Sequence, residues 1–443
     1  MEPQPEYGTN SISMGAYLRL LRENLNFRRL WAAQIVSEIG DWFYTLAIYS
    51  LLLELTGKAS SVGLALTLQV LPQTFVGPIA GIVNDRISRK KVMITADLAR
   101  MGIVLAMLLV RSRSMVWLVY PLLVLETIMA AFFEPARSSV IPNIASREDV
   151  ILANTLSSTT WSINLVLGAT LGGLVAALLG KDAVFVVNAL SFLASALLIR
   201  GMRFEEPHVV SQARLRPSDL VDFSPVVEGV RYVRSKPGML ATVLVKAGNL
   251  MIGPSWVLFT VMGHHEFALR EPGLDPERAG MVGMSLLLGA RGLGAFLGPV
   301  FTAPWAGHRE RKLQLGIFFG YLMAAVGYSM IGFAPSVWVA CLWIVLSHFG
   351  GATVWVFSTT LLQLTTEDRF RGRVFAADMA FCMLTIAIGA FVCGKLLDAG
   401  IAARTLVTAA GLSMLLPSVL WGSAMKVWRP RVDVSRVAAN PES

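Results

Sequence analysis

Charged residues are scarce in this sequence. Asp, Glu, Lys and Arg make up only 15% of its 443 residues, against about 25% in an ordinary soluble domain. Hydrophobic residues account for 55%, and the mean hydropathy is +0.61. There are too few polar residues to cover the surface of a water-soluble protein of this size, which excludes an ordinary soluble globular protein.

The sequence also lacks the signals of common enzymes and metal sites. It has no Gly-x-x-x-x-Gly-Lys-Ser/Thr phosphate loop, no His-Glu-x-x-His pattern and no Gly-x-Ser-x-Gly elbow. His264-His265-Glu266 has no third His or Cys at ligand spacing. The three cysteines, Cys341, Cys382 and Cys393, lie far apart in or beside apolar runs, which is typical of small core residues. We therefore predict a protein that is not an enzyme and has no metal or cofactor.

Long apolar runs are what this chain has instead. A helix needs about 20 apolar residues to cross the hydrocarbon core of a bilayer, and twelve runs of that kind occur. They are residues 30–55, 60–83, 92–110, 116–133, 152–179, 183–198, 240–262, 281–302, 313–333, 337–362, 374–392 and 406–421. The pattern predicts an all-α membrane protein with about 12 transmembrane helices.

The distribution of Lys and Arg predicts the orientation of these helices. Alternate connections carry clusters such as residues 86–91, 309–312 and 369–373, whereas the remaining connections are short and carry few charges. Basic loops stay on the cytoplasmic side, so we expect both termini in the cytoplasm of a bacterial-type inner membrane. Residues 1–26 contain no apolar core of a cleavable signal peptide. The net charge of +9 is spread over these loops, and no nucleic-acid partner is expected.

The two halves of the chain repeat. A shift of 221 residues lays Gly77-Pro78 on Gly298-Pro299 and Lys90-Lys91 on Arg311-Lys312. The repeat predicts two pseudo-symmetric six-helix bundles with a central site between them. The expected divisions are a cytoplasmic segment 1–29, a bundle 30–200, a linker 201–238, a bundle 239–426 and a tail 427–443. Within the linker, Val226, Val230 and Val233 have helical spacing, which fits a helix on the membrane surface or a connector that does not touch lipid.

The turn after the second run resembles the signature of the major facilitator superfamily, Gly-x-x-x-Asp-Arg-x-Gly-Arg-Lys. The matching residues are Gly81, Asp85, Arg86, Arg89 and Lys90, with Ser88 in place of the second Gly. The resemblance implies a transporter in which Asp85 holds the two halves together against the start of the eleventh helix and Arg137. Gly81 is expected to allow close helix approach. The alternative is that this turn only sets the topology.

A narrower resemblance is carried by residues 134–142, by Arg371-Gly-Arg-Val374 and by Gly40-Asp41-Trp42. These stretches are similar to the branch that contains macrolide exporters, the enterobactin exporter and lysophospholipid transporters. The fifth run also resembles the exporter motif Gly-x-x-x-Gly-Pro-x-x-Gly-Gly, with Asn164 and Ala169 as departures from it. These departures remove the expected Pro kink and keep a close packing face.

Ionisable residues inside the apolar runs are candidate site residues, since a charge at mid-bilayer costs about 2.5–3.5 kcal/mol. Glu38 and Asp41 are three residues apart and share a helix face. Either one of them carries a proton during transport, or they form a fixed polar contact or substrate anchor. Glu126 is a further candidate for proton or substrate binding. The fourth run has this residue instead of the mid-membrane Arg that is common in proton antiporters, so proton coupling is expected to work without that Arg. Interior partners or gate residues are also expected at Lys246, Arg291, His348 and Asp378, and a structural ion pair between Asp97 and Arg100.

These observations favour a monomeric secondary exporter of amphipathic, drug-like or macrolide-like compounds that works by alternating access and proton antiport. A lysophospholipid or other lipid translocator, or a siderophore or metabolite exporter of the same fold, is the alternative. A membrane enzyme or receptor fits less well, because the catalytic and phosphate-binding patterns are missing.

Overall fold

The computed structural model describes residues 14–206, 230–234, 237–248, 251–269, 275–307, 309–366 and 368–427. Within these ranges the backbone is almost entirely helical and contains no strand. A helix satisfies its own backbone N–H and C=O groups, which the lipid interior requires of any spanning segment. The predicted all-α class is confirmed.

Among the described residues, the first half of the chain contains seven α-helices and the second half eight. Two short 3-10 turns, Met107–Leu109 and Arg113–Leu118, lie between the fourth and the fifth helices of the first half. The α-helices of the first half are α1 (Met14–Glu23), α2 (Leu25–Thr56), α3 (Ala59–Arg86), α4 (Arg89–Ala106), α5 (Val119–Ile144), α6 (Arg147–Leu179) and α7 (Lys181–Arg200).

The eight α-helices of the second half lie from residue 237 onward. They are α8 (Pro237–Gly248), α9 (Ile252–His265), α10 (Pro276–Ala306), α11 (Glu310–Ile331), α12 (Val337–Thr365), α13 (Asp368–Asp398), α14 (Ala403–Ser413) and α15 (Leu415–Val427).

The described residues of all twelve predicted runs lie in helical structure except Val110, Met251, Gly332, Phe333 and Met414, and residues 249–250 of the seventh run lie outside the described residues. In the part of the chain that the structure describes, nine helical segments are long and apolar enough to cross a membrane. The seventh run is divided between α8 and α9, and the twelfth between α14 and α15, which meet at Met414. Hydropathy alone predicted continuous helices at both places.

Local caps determine where several helices begin and end. The side chain of Asn24 accepts a hydrogen bond from the Phe27 N–H before α2, and Ser88 does the same for Lys91 before α4. Gly57 ends α2 in the left-handed conformation, at φ 65°, with its N–H bonded to the Leu53 carbonyl. These caps fix the residues at which α2 and α4 begin and at which α2 ends.

Helix packing follows the predicted duplication. In the first half α2 packs on α6 and α7, and α4 on α5 and α7; in the second half α12 packs on α10 and α11. Two extensive contacts join the halves, α3 with α13 and α6 with α10. The repeat relates α3 to α10 and α6 to α13, so a pseudo-twofold axis exchanges these two contacts.

The halves touch closely at one end of the bundle, which we call the closed end. A Cβ built on Gly394 of α13 would lie 2.7 Å from the Ser60 Cα of α3, and one on Gly63 would lie 2.5 Å from the Ala390 carbonyl oxygen. Gly77 and Gly81, farther along α3, face open space, and we call this the open end. The expected close approach at Gly81 is therefore wrong for this conformation. The predicted topology places the closed end outside the cell.

Only residues 230–234 of the predicted surface helix are described, and they are helical. Val233 is buried against Met239, Val243 and Leu362, whereas Arg231 and Arg234 are exposed. This turn therefore packs on the second bundle. Val226 lies outside the described residues.

Candidate functional site

Arg100 of α4 is the centre of an interior charge cluster. Its Nη2 atom lies 2.6 Å from Asp41 Oδ2 on α2, and its Nε atom lies 2.9 Å from Glu126 Oε1 on α5. Its Nη1 atom lies 4.0 Å from Asp97 Oδ1, one turn back along α4. Three helices thus bring three carboxyl groups to one guanidinium, which also stacks at 4.1 Å over the Phe192 ring of α7.

This cluster corrects two expectations. The predicted ion pair between Asp97 and Arg100 is a distant one, and the short contacts of Arg100 go to Asp41 and Glu126. The carboxylates were also expected to work without an Arg partner, because the fourth run, in α5, contains none. The preceding helix, α4, provides this partner as Arg100. Helical spacing along one segment detects i,i+3 neighbours, but contacts between helices require the packed bundle.

Burial makes the cluster electrostatically expensive. The side chain of Asp97 is fully buried, and those of Arg100 and Glu126 are 6% and 9% exposed, whereas Asp41 is 32% exposed. With every group ionised, three negative charges would surround one positive charge in a medium that solvates ions poorly. Asp41 is therefore the member of this cluster that an incoming proton or ligand reaches most easily.

Glu38 lies in a separate polar site on the same helix. Its Oε1 atom accepts a hydrogen bond from Gln34 Nε2 at 2.8 Å, and its Oε2 atom accepts one from Asn164 Nδ2 of α6 at 2.9 Å. Arg137 Nη1 donates to Gln34 Oε1 at 2.9 Å and thereby holds the Gln34 amide. Glu38 and Asp41 share a helix face but not their partners. Asn164, which departs from the exporter motif, is therefore a hydrogen-bond donor to Glu38.

The close packing face of α6 is present. A Cβ on Gly168 would lie 2.5 Å from the Trp42 Cβ, and one on Gly172 would lie 3.0 Å from the Phe43 Cα, so α6 lies directly against α2. This contact brings Asn164, one turn before Gly168, to the face of α2 that carries Glu38.

The expected gate residues are only partly brought together. Arg89 donates to the Ser139 carbonyl of α5 at 2.9 Å, and Arg137 pairs with Glu134 at 2.8 Å. Both contacts stay within the first bundle. Arg86, at the end of α3, is partly exposed. The side chain of Asp85 and those at the start of α13 lie outside the described residues, so the predicted bridge between them stays a prediction.

The interior charges of the second half are arranged differently. Lys246 of α8 pairs with Asp378 of α13, both buried, and its Nζ atom lies 4.9 Å from the centroid of the Trp355 ring. His348 of α12 shares a 2.8 Å hydrogen bond with the Tyr328 hydroxyl, which is the arrangement of a satisfied core histidine.

An aromatic stack joins the two halves. The rings of Trp42 on α2 and Trp256 on α9 are stacked, with centroids 5.7 Å apart and an interplanar angle of 9°. Arg291 of α10 lies over the Trp256 ring, 3.8 Å from its centroid. Trp42 follows Asp41 directly in the sequence, so α2 contributes both to the stack and to the carboxyl cluster.

Sequence reasoning missed the polar residues that join the two halves at the closed end. Lys181, at the start of α7, bonds to Glu54 of its own half and to Glu277 of the other half. Asp398, at the end of α13, accepts hydrogen bonds from the Ala59 and Ser60 N–H groups of α3. These residues looked like ordinary loop charges, and only their pairing across the halves distinguishes them.

Curated relatives match this sequence over most of their length. Macrolide efflux protein A of Streptococcus pyogenes is 25% identical over 375 residues, covering 82% of this chain and 87% of that protein. The multidrug efflux pump Tap of Mycolicibacterium fortuitum is 26% identical over 424 residues, covering 92% and 97%. The putative bacilysin exporter BacE of Bacillus subtilis is 25% identical over 326 residues, covering 72% and 76%.

Solved structures match the fold, and the sequence matches a family. A bacterial homologue of the human lysosomal transporter Spinster, in an inward-facing and unoccupied conformation, gives a TM-score of 0.70 at 16% identity, covering 95% of this chain and 100% of that chain. The nucleoside transporter NupG gives 0.69 at 12% identity, covering 94% and 100%. The sequence profile of the Major Facilitator Superfamily matches residues 30–377. This multi-pass membrane protein belongs to the Major Facilitator Superfamily and is a transporter, not an enzyme.

Proposed function

We propose that this protein exports amphipathic small molecules, drug-like or macrolide-like, across a bacterial cytoplasmic membrane by alternating access and in exchange for protons. It works as a monomer with both termini in the cytoplasm. The relatives named for macrolide, multidrug and bacilysin export support the class of cargo at 25–26% identity. Family membership and fold leave cargo and coupling open, because one fold carries many functions.

The observation that carries the proposal is the Arg100 cluster. Asp41 Oδ2 is bound to Arg100, whereas Asp41 Oδ1 has no hydrogen-bond partner among the described residues. A proton and a cationic amine both neutralise a carboxylate, so they compete for Asp41. Competition between proton and cargo for one group is the simplest coupling for antiport, because the release of one allows the binding of the other.

The contacts between the halves support alternating access. The closed end is held by close contacts at small residues and by polar bonds, namely at Gly63, Gly394, Asp398 and Lys181, beside a buried apolar cluster that contains residues of both halves. An ion pair between partly exposed side chains, such as that of Lys181 with Glu277, separates at modest cost. Rocking one half against the other would break them and bring α3 and α13 together near Gly81.

Transport by purified protein in liposomes tests the coupling. Efflux of a labelled macrolide or cationic dye should rise when the pH gradient is imposed in the direction that drives proton entry. Asp41→Asn should remove this dependence on the gradient, whereas Asp182→Asn, an exposed carboxylate paired with Arg111 at the closed end, should not. Wild-type efflux that ignores the gradient would exclude antiport.

A susceptibility screen identifies the cargo. Cells that make the wild type should resist compounds that inhibit cells making Asp41→Asn or Glu126→Gln at equal protein level. If no compound separates them, labelled lysophospholipid should be tested in the same liposomes, since lipid translocation is then the better hypothesis.

A further inference from the structure

Arg291 of α10 is a cation without a carboxylate partner among the described residues. Arg100 contacts three carboxyl groups and Lys246 pairs with Asp378. The guanidinium carbon of Arg291 instead lies 3.8 Å from the centroid of the Trp256 ring, and its buried Nη1 atom has no hydrogen-bond partner among the described residues. Of these three interior cations, it is the one for which the described residues provide no neutralising carboxylate.

The surroundings of Arg291 are aromatic and lie where the halves meet. Trp256, beneath the guanidinium, stacks on Trp42 of the first half, and Tyr49 of the first half packs edge-on against the same indole at 6.2 Å. The Tyr49 hydroxyl is bonded to Gln69 at 2.6 Å. These rings provide a cation–π surface and apolar area, but no negative charge.

Energetics make a purely structural role for Arg291 expensive. A charge at mid-bilayer costs about 2.5–3.5 kcal/mol on insertion scales. One cation–π contact returns about 2 kcal/mol where water is excluded. The donor left at Nη1 adds a further cost, since a buried unsatisfied donor costs about 1–3 kcal/mol. An anionic group brought by a ligand would offset both costs.

We propose that Arg291 binds the anionic group of the transported compound, and that the cargo is a zwitterionic amphiphile. Its acid pairs with Arg291 Nη1, its amine pairs with Asp41 Oδ1, and its apolar body lies against the Trp42 and Trp256 rings. Both atoms lack partners among the described residues; Arg291 lies on the stack that joins the halves, and Asp41 directly precedes Trp42 of that stack on α2. This assignment rests on the proposed export function and specifies its substrate class.

Matched probes with one apolar body test the two subsites separately. The full-length protein is purified in detergent, and the binding of 4-phenylbutyrate, 4-phenylbutanamide and 4-phenylbutylamine is measured by calorimetry. The acid should bind wild type at least about tenfold more tightly than the amide, since a charge-assisted hydrogen bond contributes about 1.5–3 kcal/mol. Arg291→Gln should abolish this preference, and Arg291→Lys should keep part of it.

The controls separate the site from general effects of charge and folding. Lys312 also lies over an indole, with its Nζ atom 5.3 Å from the Trp305 centroid, but at an exposed position; Lys312→Gln should leave the preference for the acid unchanged. Asp41→Asn should weaken binding of the amine and not of the acid. Unchanged affinity for the neutral amide shows that each variant is folded.

Two results would overturn the proposal: equal binding of acid and amide by wild type, or a preference for the acid that survives Arg291→Gln. Binding is measured without vesicles or gradients, so a negative binding result can be distinguished from a failure of the proposed export function. An intact preference with no efflux of any compound would refute export and retain the anion site. Gradient-driven efflux with no preference for the acid would refute the site and retain export.

Discussion

The carboxylate of Asp398, the last residue of α13, caps the first turn of α3: its oxygens accept hydrogen bonds from the Ala59 N–H at 2.7 Å and the Ser60 N–H at 3.2 Å. Lys58, the residue before α3, provides no side-chain cap of its own. A carboxylate from the second half therefore satisfies the free N–H groups of a helix in the first half. Separation of the halves must break this cap.

Removal of this cap should destabilise the closed end. Asp398→Ala should cost about 0.5–2 kcal/mol, the usual value of an N-cap, and shift the population toward separated halves. Spin labels at Lys58→Cys and Ile401→Cys, in a background that lacks the three native cysteines, should report longer distances. The matched control is Asp182→Ala, because Asp182 pairs with Arg111 inside the first half. Unaltered distances in Asp398→Ala would show that the cap does not hold this end.

A larger residue at Gly394 should prevent closure. A Cβ at this position would meet the Ser60 Cα at 2.7 Å and the Ala59 carbonyl oxygen at 2.8 Å, and backbone atoms cannot rotate away. Gly394→Val should therefore give widely separated labels and transport reduced at least about tenfold, because one of the two states is lost. Gly102→Val in α4 is the control, since a Cβ at Gly102 meets nothing within 4 Å. Normal transport by Gly394→Val would contradict the tight approach.

Loss of the cation at Arg100 should be more harmful than loss of a carboxyl group. Arg100→Gln leaves three carboxyl groups, those of Asp97 and Glu126 buried, without this counter-charge, and we expect a loss of about 3–5 kcal/mol in stability. Asp41→Asn alone should cost less, and the double variant Arg100→Gln with Asp41→Asn should recover part of the loss. Thermal unfolding in detergent measures this coupling. Additive effects would show that the two groups do not interact.

Asn164 should stabilise the protein through its hydrogen bond to Glu38. Asn164→Ala removes the donor to Glu38 Oε2, and we expect a cost of about 1–3 kcal/mol, because a buried acceptor loses its partner. Asn154→Ala, at an exposed position nearer the start of α6, should change stability by less than about 0.5 kcal/mol. Equal stabilities of the two variants would argue against the hydrogen bond.

The predicted bridge from Asp85 to the start of the eleventh helix would join the halves at the open end, and it stays a prediction because the side chains concerned lie outside the described residues. α3 is open at Gly81 and closed at Gly63, so the two halves meet at the opposite end from the one that the signature turn occupies. A signature for one state is visible in the sequence whether or not the molecule is in that state. The residues that hold the other state have no comparable pattern.

The amino-acid sequence by itself determined the membrane class, the twelve helical runs, the duplication and the residues that carry charge into the bilayer. It could do so because burial in lipid acts on each segment separately and leaves a mark in local composition. Only the tertiary structure decided that Arg100 pairs with Asp41 and Glu126 and that Asn164 donates a hydrogen bond to Glu38. It also decided that Arg291 lies on an indole with no carboxylate partner among the described residues, and that Asp398 caps α3. Those relationships depend on the packing of helices that lie up to 339 residues apart in the chain, and a one-dimensional pattern does not contain that distance information.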